Sequence, residues 1–129
     1  MQNKTIGWQQ HELAKERLKL GLFDKRFAIY KATQVLLSKI LKEGKCDLEM
    51  LDEFRGATQD AIFLFDDEIP AYLKEIENMF LHIWRFQEDL KGIRRSKKRT
   101  ELCGVNMELF TILTEELPNL KNVFAPYIS

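Results

Sequence analysis

The sequence predicts an all-α protein: an antiparallel four-helix bundle-like domain with a long first helix and a short C-terminal turn. Three observations carry this expectation. Apolar side chains recur every three or four residues in four successive segments, a spacing that gathers them on one helical face. Glycine, proline or a basic run interrupts the pattern near Gly44, near Pro70 and over residues 92–99. The charges are also sorted into blocks, which suits helices lying against neighbours of opposite sign. Residues 1–45 hold ten Lys/Arg against four Asp/Glu, and residues 46–90 hold three against twelve. Residues 91–99 are basic again, with six cations and no acid.

Residues 1–7 read as a flexible N-terminus and 8–129 as a single helical domain. The first helix is expected from Trp8 to the natural stop at Gly44, roughly 50 Å of helix. Leu20, Phe23, Phe27 and Tyr30 share one face, which Leu37 and Leu41 continue. Phe27 is placed in the core, so its truncation is expected to cost about 3–5 kcal/mol. Asp47 is the expected N-cap of a second helix, with Glu49 in its first turn and an apolar period reaching Phe65. Pro70 suits either the first turn of a third helix or a kink. That third helix carries Leu73, Ile76, Phe80, Ile83, Phe86 and Leu90. A fourth runs from about Thr100 to Leu117, where Pro118 is expected to end it, leaving Phe124, Tyr127 and Ile128 on a final turn.

At 129 residues, 45% hydrophobic and 31% charged, the chain has the size and composition of one soluble domain. Cys46 and Cys103 are not spaced as metal ligands and are read as free thiols in a reducing compartment. No run approaches the roughly 20 apolar residues of a membrane span, and the first residues lack a signal-peptide core. The expected location is cytoplasmic.

The segments LKLGLFDKRFAIYKA (18–32) and AIFLFDDEIPAYLKEI (61–76) resemble a recurrent signature of uncharacterised bacterial helical-domain proteins, often membrane-anchored. The resemblance is carried by Leu20, Leu22, Phe23, Arg26, Phe27 and Tyr30, then by Phe63, Phe65, Glu68, Ile69, Tyr72 and Leu73. Leu117, Pro118, Leu120, Phe124 and Tyr127 are similar to the same group's ending. It implies a small cytosolic helical domain behind a single N-terminal anchor, and no catalytic residues or ligand. Only seven residues precede Trp8 here, so either an anchor lies upstream of them or this member is soluble. Trp8 with Lys15, Arg17 and Lys19 would suit a membrane edge or ordinary helix-end packing.

Two groups of residues draw attention chemically. Arg26, with Tyr30, Glu68 and Tyr72, suggests either an inter-helical arginine–carboxylate clamp or an anion- or partner-binding notch, since a guanidinium can make two parallel hydrogen bonds. Arg94, Arg95, Lys97, Lys98 and Arg99 suggest a solvated loop or a contact for an anionic membrane surface or nucleic acid. Neutral net charge and the nearby Glu88, Asp89, Glu101 and Glu108 weigh against nucleic acid. His11 and His82 lack the Glu-x-x-His spacing of di-iron bundles, so no metal or other cofactor is expected. No phosphate-cradling loop or nucleophile–base arrangement is recognisable. The chain therefore reads as a noncatalytic interaction or scaffold domain, with a protein partner or self-association. The alternative is a soluble nucleic-acid-binding or regulatory module using the basic patch.

Overall fold

Gly44 ends the first helix by turning the chain left-handed. Its φ is 68°, a conformation glycine adopts without a Cβ penalty, and its N–H donates to the Ile40 carbonyl at 2.8 Å. Three residues later Asp47 opens the next helix as expected, its Oδ1 accepting from the Met50 N–H at 2.8 Å. The structure is a computed structural model and describes residues 2–91 and 97–128. Its elements are α1 (Gln2–Glu43), α2 (Leu48–Thr58), α3 (Ala61–Leu64), α4 (Glu68–Leu90) and α5 (Lys97–Ile128). Among the described residues there is no strand.

The helical stretch expected from Asp47 to Phe65 is broken. Thr58 Oγ1 donates back to the Phe54 carbonyl at 2.8 Å, and α2 stops there. The chain then makes the single turn of α3 and leaves it through Phe65, whose backbone is extended. That change of direction places the Phe65 ring against Phe124 and Tyr127, at centroid distances of 5.4 and 5.2 Å. Pro70 lies in the first turn of α4, where a backbone N–H has no helical acceptor, so it starts the helix without kinking it. Ile69, Leu73, Ile76, Phe80 and Ile83 then point inward at alternating steps of four and three.

Pro118 does not end the last helix. Both Pro118 and Pro126 lie inside α5, which is 32 residues long. An interior proline costs about 3 kcal/mol through one lost hydrogen bond and a ring clash. Beyond Pro118, however, Leu120 and Phe124 are fully buried, and each such side chain contributes about 1.5–3 kcal/mol. Continuing the helix keeps both on the face already set by Leu113. Burial outweighs the proline.

The largest departure concerns α1. The helix begins at Gln2, ahead of the start expected near Trp8, and among its described side chains the buried ones all lie between Ile29 and Ile40. Ile29, Tyr30, Thr33, Leu36, Leu37 and Ile40 are covered by α2, α3 and α5. Phe27, expected in the core, is 41% exposed, Phe23 is 40% and Leu20 is 63%. Every residue from Gly7 to Lys25 except Glu12 is exposed. The reason is geometric. At 1.5 Å per residue this 42-residue helix is about 63 Å long, and its neighbours cover only its C-terminal part.

Candidate interaction surface

Arg26 stands where α1 leaves the core. Its Nε donates to the Leu64 carbonyl at 2.6 Å, satisfying an acceptor at the end of α3. Its guanidinium carbon lies 5.6 Å from the ring centroids of both Phe65 and Tyr127, within range of a cation–π contact. The Tyr127 hydroxyl donates to Asp66 Oδ2 at 3.4 Å. Arg26 therefore clamps α1 to α3 and α5 through a carbonyl and two rings. Among the described residues it forms no salt bridge, and the expected carboxylate partner Glu68 is exposed.

Arg26 and the three residues singled out with it are not gathered in one notch. Tyr30 is buried, 5.5 Å from Phe124 and 5.9 Å from Phe27. Tyr72 belongs to a different contact, where its hydroxyl donates to Glu116 Oε2 at 2.6 Å. Asn119 donates to the same oxygen at 3.2 Å. Burial, then the Glu116 carboxylate, pushes the Tyr72 phenol well above its ordinary range, so it stays a donor.

An aromatic ladder connects the free part of α1 to the core. Phe23 stacks on Phe27 at 5.8 Å, Phe27 meets Tyr30, Tyr30 meets Phe124, and Phe124 meets Phe65. Above this ladder α1 projects with Trp8, Leu13, Leu18, Leu20 and Leu22 exposed. These side chains occupy two sides of the helix. Leu18 and Leu22 lie in line with buried Ile29 and Leu36, whereas Leu13 and Leu20 lie in line with Phe27.

The basic patch falls mostly outside the described residues. Arg94 and Arg95 lie outside them, as do the side chains of Lys97 and Lys98 in the first turn of α5. Arg99 is partly buried on the same helix. Nearby, α4 and α5 enclose an open groove of about 440 Å³ lined by His82, Arg85, Phe86, Asn106, Leu109 and Ile112, among others. Among the described residues Asn106 Oδ1 is buried there with no hydrogen-bond partner.

Sequence reasoning missed one polar contact entirely. The Gln87 carboxamide accepts from the Cys46 N–H and donates to the Cys46 carbonyl, both at 2.7 Å. The only signal was a glutamine interrupting an apolar period. Both cysteines are free thiols, and burial, then Asp47, pushes the Cys46 thiol up to about 11, which keeps it protonated and unreactive.

Among the described residues no group of three or more His, Cys, Asp or Glu is placed to hold a metal ion. Among the same residues no helix is long and apolar enough to cross a membrane. No protein-family model matches the chain, and no curated protein or solved structure matches it.

Proposed function

We propose that this chain is a noncatalytic helical interaction domain. Its C-terminal three-quarters or so, from Ile29 onward, serve as an antiparallel four-helix scaffold, and the projecting half of α1 is the binding element. The observation that carries the reading is the run of large side chains left uncovered between Trp8, 65% exposed, and Phe27. The scaffold holds them rigidly, because Arg26 and the aromatic ladder fix the helix at its point of exit. An assignment as the cytosolic part of a membrane-tethered bacterial protein rests on the sequence resemblance alone.

The test is affinity capture from cells that express the full-length gene product, using the wild type and Leu20→Asp/Phe23→Asp. Recovery of one stoichiometric protein that the variant loses supports the reading. Equal recovery by both forms refutes it. A second reading, a nucleic-acid-binding or regulatory module, is favoured by the block of six cations without an acid over residues 91–99. Neutralising Arg94, Arg95, Lys97, Lys98 and Arg99 would then weaken phosphate binding across sequences and flatten its salt dependence.

A further inference from the structure

The uncovered half of α1 carries a seam that matches itself. Leu13, Glu16, Leu20, Phe23 and Phe27 follow one another at steps of three and four residues, and all five are exposed. This is the repeat by which two helices wind together with knobs in holes. Glu12 and Lys19 flank the seam on one side, and Arg17 and Asp24 flank it on the other.

These flanks distinguish the orientations. In a parallel pair, a residue on the first flank meets a residue on the second flank of the other helix about five positions further on. Glu12 then faces Arg17 of the second copy, and Lys19 faces Asp24. Both contacts are attractive, and symmetry doubles them. An antiparallel pair that packs Leu20 on Phe23 of the other copy also joins Arg17 to Asp24, but it sets Lys19 against Arg26, the next residue of the first flank. Charge favours the parallel pair.

We infer that two copies of this chain associate through a parallel coiled coil formed by residues 13–27 of α1. The inference rests on the interaction reading above and names the partner. Beyond Phe27 the repeat enters the core at buried Tyr30 and Leu37, which ends the pairing segment, while Lys31 and Ser38 on the edge of the same side are exposed. A lipid surface fits less well. Leu18 and Leu22 project on a side roughly opposite the seam, whereas a flat bilayer covers one side of a helix. Glu16 is the one charge within the seam. Such a residue weakens the pair and fixes its register.

Sedimentation of the purified full chain from about 1 µM to about 1 mM tests this. The wild type is expected to pass from monomer to dimer, and Leu20→Asp to remain monomeric. Glu16→Leu should tighten the dimer by at least about tenfold. Glu12→Lys and Arg17→Glu should each weaken it by about tenfold, and the double swap should recover most of the loss. Five positions apart on one helix, these two side chains do not face each other, so recovery reports contact between copies. All the substituted positions but Glu12 are exposed, and unchanged helical circular dichroism checks that each variant folds.

A wild type that stays monomeric to the highest concentration overturns the pair, and binding of that monomer to phosphatidylserine vesicles would replace it with a lipid surface. A double swap no tighter than the single variants overturns the parallel arrangement. The interaction reading fails by a different result, capture that Leu20→Asp/Phe23→Asp leaves unchanged.

Discussion

Gln87 and Cys46 form a closed ring of two hydrogen bonds, one from the Cys46 N–H to the Gln87 side-chain oxygen and one from the Gln87 amide to the Cys46 carbonyl. They are 41 residues apart, so the last turns of α4 hold the turn between α1 and α2 in place. A side-chain amide here does what a neighbouring strand does in a sheet: it satisfies both polar groups of one residue at once.

Replacing Gln87 by methionine keeps the volume and removes both bonds. The Cys46 N–H and carbonyl then lose partners in a site where Cys46 is fully buried. Each unsatisfied group costs about 1–3 kcal/mol, and partial access to water lowers the sum, so the expected loss is about 2–4 kcal/mol. Urea unfolding measures it. A loss under about 0.5 kcal/mol would mean that water replaces the amide without penalty.

Phe27 and Phe80 provide a paired test of where the core lies. Phe80 is fully buried, with Phe54 edge-on to it at 5.2 Å, and Phe80→Ala should cost about 3–5 kcal/mol. Phe27→Ala should cost under about 2 kcal/mol, because much of that ring is already in water. Equal losses in denaturant melts would place the core further toward the N-terminus of α1.

Glu77 supplies a dependence on acid. Burial raises its affinity for a proton, but hydrogen bonds from Arg55 and Lys74 prevail and hold the carboxyl below the usual range. A depressed folded value means the stabilisation is present above the unfolded carboxylate value, about 4.3, and is lost as pH falls through the folded one. Glu77→Gln should therefore be less stable than wild type at pH 7, and the difference should shrink below about pH 4. Thermal melts across this range measure it, and a gap that stays constant or widens in acid contradicts the assignment.

Several features of this protein are local, and the sequence by itself determined them. The left-handed stop at Gly44 and the Asp47 cap each depend on residues within one turn of helix, so each was legible. The same is true of the inward face of α4, where only one face is apolar enough to bury. For Pro70 the sequence left a first-turn position and a kink open, and the start of α4 at Glu68 decided for the first turn. The break after Thr58 and the passage through Pro118 were decided elsewhere. Phe65, Leu120 and Phe124 gain more from mutual burial than the local rules cost. Gln87 could not be paired with Cys46 from sequence, because nothing local relates positions 41 residues apart.

The same division runs through the candidate site. Sequence showed that Leu20, Phe23, Phe27 and Tyr30 share a stripe, but not where along α1 the covering helices end. Hydrophobic periodicity reports which side of a helix avoids water and carries no record of what covers it. Only the packing of α2, α3 and α5 against the C-terminal part of α1 separated the buried Tyr30 from the exposed Phe27. That boundary is tertiary, set by the lengths and positions of helices far along the chain, and it turns one continuous stripe into half a core and half a surface.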